Sequence, residues 1–120
     1  MSSQFTAASL ASENKALAHP ASVDSIPTSA SFEDFVSMGP AAAGRASEIP
    51  RNVQYIMAIE LLCAAQGIDL RRPKTLGRGT GKAYELLRDR AIYADVEQSV
   101  ELIRSGSILL YVEQAVGELF

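Results

Sequence analysis

Glu33 and Asp34 are adjacent carboxylates flanked by Phe32 and Phe35. An apolar flank of this kind raises a carboxyl pKa toward the range of a working general acid or base. Neighbouring side chains on a helix diverge by about 100°, so the two do not form a proton-sharing dyad. The competing reading is that they favour a helix N-terminus through its dipole. His19 is the one histidine and precedes Pro20; it reads as a proton carrier or ligand, or as a hydrogen-bonding surface group beside a turn. Cys63 is the one cysteine, set between Leu62 and Ala64 with no base near it in sequence, and it reads as a core residue. A single thiol and a single imidazole allow no internal disulfide framework and no soft-ligand metal cluster within one chain.

Other candidate groups are weaker. Gly77 to Gly81 spell GRGTG, which lacks both phosphate-loop and dinucleotide-loop spacing and reads as a turn and helix cap. Arg71, Arg72, Lys74 and Arg78 form a local basic patch, either an anion site or a solvated linker that pairs with acidic surfaces. Glu13, Asn14 and Lys15 are consecutive and suit a polar network at a helix end.

The elements that position these groups are helical. A first helix is predicted over Ser3 to Leu17, ending before Pro20, followed by a loop over 19–31 in which Pro20 and Pro27 bias their predecessors away from the helical basin. A loop of that length in a compact domain argues for a functional site. Ser31 is the predicted N-cap of a second helix that continues through Gly39 and Pro40, where prolines either begin new segments or kink a long one. From Val53 to Ala64 apolar residues cover much of the helical circumference, more than so small a chain can surround, so self-association is expected. Gly67 is the expected C-cap. Further helices are expected from Thr80 to Arg90, with Ala83, Leu86 and Leu87 inward and Arg88 and Arg90 exposed, and from Val96 to Ile103, with Asp95 as cap and Gly106 as stop. A final helix carries Leu109, Val112, Val116 and Leu119 on one stripe. The fold class is all-α. The text divides into a helical core segment over 1–72 and a smaller helical tail over 73–120, one domain or part of a larger one.

The chain has 120 residues, 48% of them hydrophobic and 21% charged, with 11 basic against 14 acidic side chains and a net charge of −3. That is one-domain size, short for an enzyme that must enclose its substrate alone. The scattered charges offer no stripe for nucleic acid and no arm for a membrane surface. No stretch approaches 18 consecutive apolar residues and the opening segment lacks the features of a signal peptide, so a cytoplasmic protein is expected.

The segments TAASLASENKALAHPASVDSIPTSA, EDFVSMGPAA and MAIELLCAAQGIDLR together resemble the C-terminal portion of histidine ammonia-lyases in the aromatic amino acid lyase family, strongly from Gln4 to Arg72 and less strongly beyond. The resemblance implies a mostly helical, homotetrameric enzyme whose active sites combine residues of several subunits. It also implies elimination of ammonia from histidine, or from phenylalanine or tyrosine in sister enzymes. The implied electrophile is a methylideneimidazolone made from an Ala-Ser-Gly triplet. Ala-Ser occurs five times here, followed by Leu10, Glu13, Val23, Phe32 and Glu48 and never by glycine. The expected reading is therefore a part of a lyase that is inactive alone and is completed by the missing N-terminal portion, where the family's tyrosine base and carboxylate-binding arginine also lie.

Glu33 is the family site residue that carries over, as the glutamate of the segment usually written Asn-Gln-Glu-Asp-His-Val-Ser-Met. Asp34, Phe32, Phe35, Met38 and His19 are candidates for its supporting shell. Ser31, Phe32 and Phe35 stand where the family has Asn, Gln and His, which leaves a phenylalanine or tyrosine lyase, or a 2,3-aminomutase, open beside a histidine lyase. The alternative is a non-catalytic, self-associating helical fragment or vestigial homologue.

Overall fold

The computed structural model describes residues 2–72, 75–90 and 96–119. Among these residues the architecture is all-α: α1 (Ser2–Leu17), a 3-10 turn (Ala21–Asp24), α2 (Gly39–Arg71), α3 (Arg78–Arg90), α4 (Val96–Arg104) and α5 (Ser107–Val116). The chain forms two compact units, Met1–Val53 and Gln54–Phe120. Their boundary falls inside the second helix, whereas the sequence changes character near 72. Lys74, Asp95 and the Arg90 side chain lie outside the described residues.

The first unit holds α1, the long loop and the start of α2. The second helix does not begin at Ser31. Ser29, Ala30 and Ser31 all take positive φ, at 54°, 56° and 66°, a left-handed run that is incompatible with the extended backbone of an N-cap. Helix geometry starts eight residues later, at Gly39, with the Ala42 amide donating to the Met38 carbonyl at 3.0 Å. Pro40 lies in the first turn, where its missing N–H would have had no partner. Pro50 lies inside the helix and deprives the Ala46 carbonyl of its i+4 donor.

The second unit is built on α3, α4 and α5. Leu86, Leu87 and Leu102 are buried together, with Leu61 of α2 and Ile108 and Tyr111 of α5 packed on them. The expected inward pair Leu86 and Leu87 is correct, but the stripe of the last helix differs. Ile108 and Tyr111 face the core, Val112 and Val116 face Gly79 of α3, and Leu109 and Leu119 are exposed. A Cβ on Gly79 would stand 3.2 Å from Val112 Cγ1 and 3.4 Å from Val116 Cγ1, so the absence of a side chain sets how closely α3 approaches α5. Gly106, at φ 71°, makes the left-handed turn from α4 into α5.

Gly67 does not end α2, which runs on to Arg71. A helical glycine costs about 1 kcal/mol, a deficit that Leu61 packing and the Asp69 contacts described below offset. Cys63 is exposed rather than core. Val53, Met57 and Leu70 are likewise exposed on α2, because too little chain is available to cover every side of this helix. By length and composition α2 is apolar enough to cross a membrane, beyond what runs of consecutive apolar residues suggest. Glu60 lies within that helix, and Ala58, Ile59 and Ala65 are its buried residues.

Leu86 is 3% exposed. Leu86→Ala is expected to destabilise the second unit by about 3 kcal/mol, read as a lower midpoint in urea denaturation. Gly79→Val is expected to cost about 1–3 kcal/mol by overpacking against Val112 and Val116.

Candidate functional site

Glu33 is carried on a self-closed loop between α1 and α2. Thr28 and Glu33 form an isolated antiparallel bridge. The Thr28 amide donates to the Glu33 carbonyl at 3.0 Å, and the Glu33 amide to the Thr28 carbonyl at 3.3 Å. Inside this closure the Phe32 amide donates to the Ser29 carbonyl at 3.1 Å. The three left-handed residues between them make so tight a reversal possible. Each costs about 1 kcal/mol or more for a non-glycine residue, and strain of this kind concentrates where a side chain must be held in place.

Two side chains brace the loop. Thr28 Oγ1 makes a long hydrogen bond to Glu33 Oε2 at 3.4 Å, and Ser25 Oγ accepts from the Val36 amide at 2.8 Å, drawing the loop's two arms together. Glu33, Asp34 and both flanking aromatics are exposed, Phe32 at 92% and Phe35 at 64%. The expected aromatic shield over the carboxylates is therefore absent within this chain. Neither carboxylate sits at a helix N-terminus, contrary to the sequence expectation, because α2 starts only at Gly39. Met38 is half-buried and enters α2 with φ 53°.

His19 takes part through its backbone. Its carbonyl accepts from Arg45 Nη1 at 3.1 Å, while the residue as a whole is exposed. The polar run at the end of α1 does form a network. Asn52 Nδ2 donates to Glu13 Oε2 at 3.1 Å and to Asn14 Oδ1 at 3.0 Å. Glu13, Lys15, His19 and Arg45 line a surface cleft of 640 Å³. Thr28, Ser25, Arg45 and Asn52 escaped the sequence reading. Their types are ordinary for loops and helix surfaces, and only the distances between them mark them.

In the second unit Asp69 accepts from the Tyr84 hydroxyl in a short hydrogen bond and pairs with Arg88 Nη1 at 3.3 Å. Arg88 also donates to the Tyr84 hydroxyl at 3.0 Å and lies over the Tyr84 ring, 5.6 Å from its centroid. Foremost by its hydrogen bond to Asp69, and then by desolvation, the Tyr84 phenol is held above its usual pKa, against the opposing pull of Arg88. Arg78, of the basic patch, is engaged within the second unit. Its guanidinium donates to the Ala115 carbonyl near the C-terminal end of α5, where a cation offsets the helix dipole. Among the described residues no three His, Cys, Asp or Glu side chains are grouped to hold a metal ion.

The family model for aromatic amino acid lyase matches residues 1–89. The chain belongs to the aromatic amino acid lyase family. It is 51% identical to the histidine ammonia-lyase of Natranaerobius thermophilus, over 99% of this chain and 25% of that protein. To the histidine ammonia-lyase of Alkaliphilus oremlandii it is 52% identical, over 97% of this chain and 24% of that protein. A third histidine ammonia-lyase, from Gloeobacter violaceus, is 51% identical over 99% of this chain and 25% of its own length. The chain thus spans about a quarter of the length of the curated relatives it matches. The likeness also reaches well past Arg72, through most of the tail. An all-α lyase fold accounts for the apolar α2 as a bundle helix.

The Tyr84 interaction makes a prediction about pH. A phenol whose folded pKa is raised contributes stability below its unfolded pKa and loses that contribution as pH rises through the folded value. Phenolate absorbance should therefore show Tyr84 ionising above a free tyrosine, and Asp69→Asn should bring that titration down.

Proposed function

We propose that this chain supplies the C-terminal portion of an ammonia-lyase acting on an L-amino acid in the cytoplasm, with Glu33 as the group that touches substrate. The observation that carries this reading is the strained loop closure, which fixes the backbone of Glu33 against Thr28 and leaves its carboxylate exposed. A carboxylate so placed makes a charge-assisted hydrogen bond to the substrate ammonium or to a ring N–H and fixes the substrate's orientation for elimination. Asp34, Phe32, Phe35 and Met38 follow Glu33 or flank it in the same segment and would shape its surroundings in the assembled site.

Histidine is the substrate named for the relatives. The phenyl groups of Phe32 and Phe35 favour a second reading, a phenylalanine or tyrosine substrate, through apolar contact beside the carboxylate. A 2,3-aminomutase would use the same contacts. The family's methylideneimidazolone does not fit this chain, because none of the five Ala-Ser pairs is followed by glycine. That group would belong to polypeptide outside the 120 residues, and this chain alone is proposed to be inactive. The exposed residues Val53, Met57 and Leu70 on α2 support assembly with other copies or with the remaining lyase portion. If the assembled protein were catalytically silent, the same surface would favour a self-associating helical fragment instead.

The test is to combine the chain with a polypeptide bearing the Ala-Ser-Gly part of the family enzyme and follow the ultraviolet absorbance of the unsaturated acid formed from histidine, phenylalanine or tyrosine. Glu33→Gln is expected to lower turnover by about 10- to 100-fold, the loss of one charge-assisted hydrogen bond, with a stability change within about 0.5 kcal/mol. Equal losses of folded protein and activity would instead make Glu33 structural.

A further inference from the structure

We propose that Arg45 and Asn52 are positioning residues for Glu33, acting as a two-point clamp from α2 on the entry to the loop. The proposal rests on Glu33 as the substrate-contacting group and adds what holds it in place. Seven residues separate Arg45 from Asn52, two helical turns that leave their side chains within about 20° of each other around the α2 axis. Both therefore reach the same neighbour. Asn52 uses one amide nitrogen to hold two side chains of the last turns of α1, Glu13 at 3.1 Å and Asn14 at 3.0 Å. Arg45 holds the next point along the chain, the His19 carbonyl, at 3.1 Å. That carbonyl lies just beyond the end of α1, where the Ala18 and His19 amides still bond back to Asn14 and Ala16 at 2.9 and 3.2 Å.

The loop's other end needs no clamp, since Met38 runs directly into Gly39 of the same helix. Both ends of the loop are thus referred to α2, one covalently and one through Arg45 and Asn52. Between them the Ser25 and Val36 bond and the Thr28 and Glu33 bridge make the interior nearly self-supporting. A braced loop moves as a body, so release of its entry shifts Glu33 without unfolding the turn that bears it. Displacement of a substrate-holding group by about 1 Å is enough to cost turnover on the order of 10²-fold. None of this involves the imidazole of His19, whose backbone oxygen is the contact.

Two measurements decide the proposal. In the assembled lyase, Arg45→Met and Asn52→Leu are each expected to lower kcat/KM by about tenfold or more, and Arg45→Lys, which keeps a donor within reach of the His19 carbonyl, should recover most of that loss. In an E33Q background the same substitutions should cost no more than about twofold, because they act through the group already removed. Full additivity in that background would overturn the proposal by making both residues merely structural. On the 120-residue chain itself, hydrogen exchange should quicken at amides 19–36 in R45M and stay unchanged in α3 to α5; unaltered exchange in the loop would show that no clamp exists. An E33Q enzyme with full turnover would remove the reading of Glu33, and with it the catalytic half of the proposal, while loop exchange still reports whether Arg45 holds the entry.

Discussion

The continuity of α2 as one helix from Gly39 to Arg71 is the constraint from which both units are built. Its first half presents Arg45 and Asn52 to the end of α1 and its covalent start terminates the Glu33 loop. Its second half contributes Leu61 to the leucine cluster and Asp69 to the Tyr84 and Arg88 network. Pro50 and Gly67 both lie within it, and either would be a natural break in an isolated peptide. The helix persists through both, against propensity costs of about 1 kcal/mol for glycine and about 3 kcal/mol for proline.

The two units are stabilised by different means. The second has an apolar centre in Leu86, Leu87 and Leu102, closed by the near contact of Gly79 with α5. The first relies on polar anchors and loop closure, with Ala21 as its buried apolar residue among those described before Val53. Polar contacts at a surface each contribute little to stability. Their value lies in direction, since a hydrogen bond fixes an angle as well as a distance. The Thr28 and Glu33 closure holds its loop by such bonds and not by burial.

Exposed apolar groups give a consistent account of the family relationship. Phe32, Phe35, Val53, Met57 and Leu70 are exposed, and they fall on the loop and on α2. The curated relatives of the family are about four times as long as this chain. The exposure of Cys63, between Leu62 and Ala64 in sequence, belongs to the same pattern.

Helix content and the inward positions of Leu86 and Leu87 were legible in the amino-acid sequence, because 3.6-residue periodicity and proline placement act locally. So was the segment bearing Glu33, through its likeness to the family. The late start of α2 was not legible, since three consecutive left-handed residues are set by a closure between Thr28 and Glu33 that local propensity does not encode. Nor were the exposure of Cys63 or the roles of Arg45 and Asn52, which depend on how much chain is available to cover a face and on contacts 26 to 39 residues apart. The sequence by itself determined which residues can carry charge, form helices and bear the lyase signature. The tertiary structure alone decided where those groups stand, because position follows from long-range hydrogen bonds and packing that no local pattern specifies.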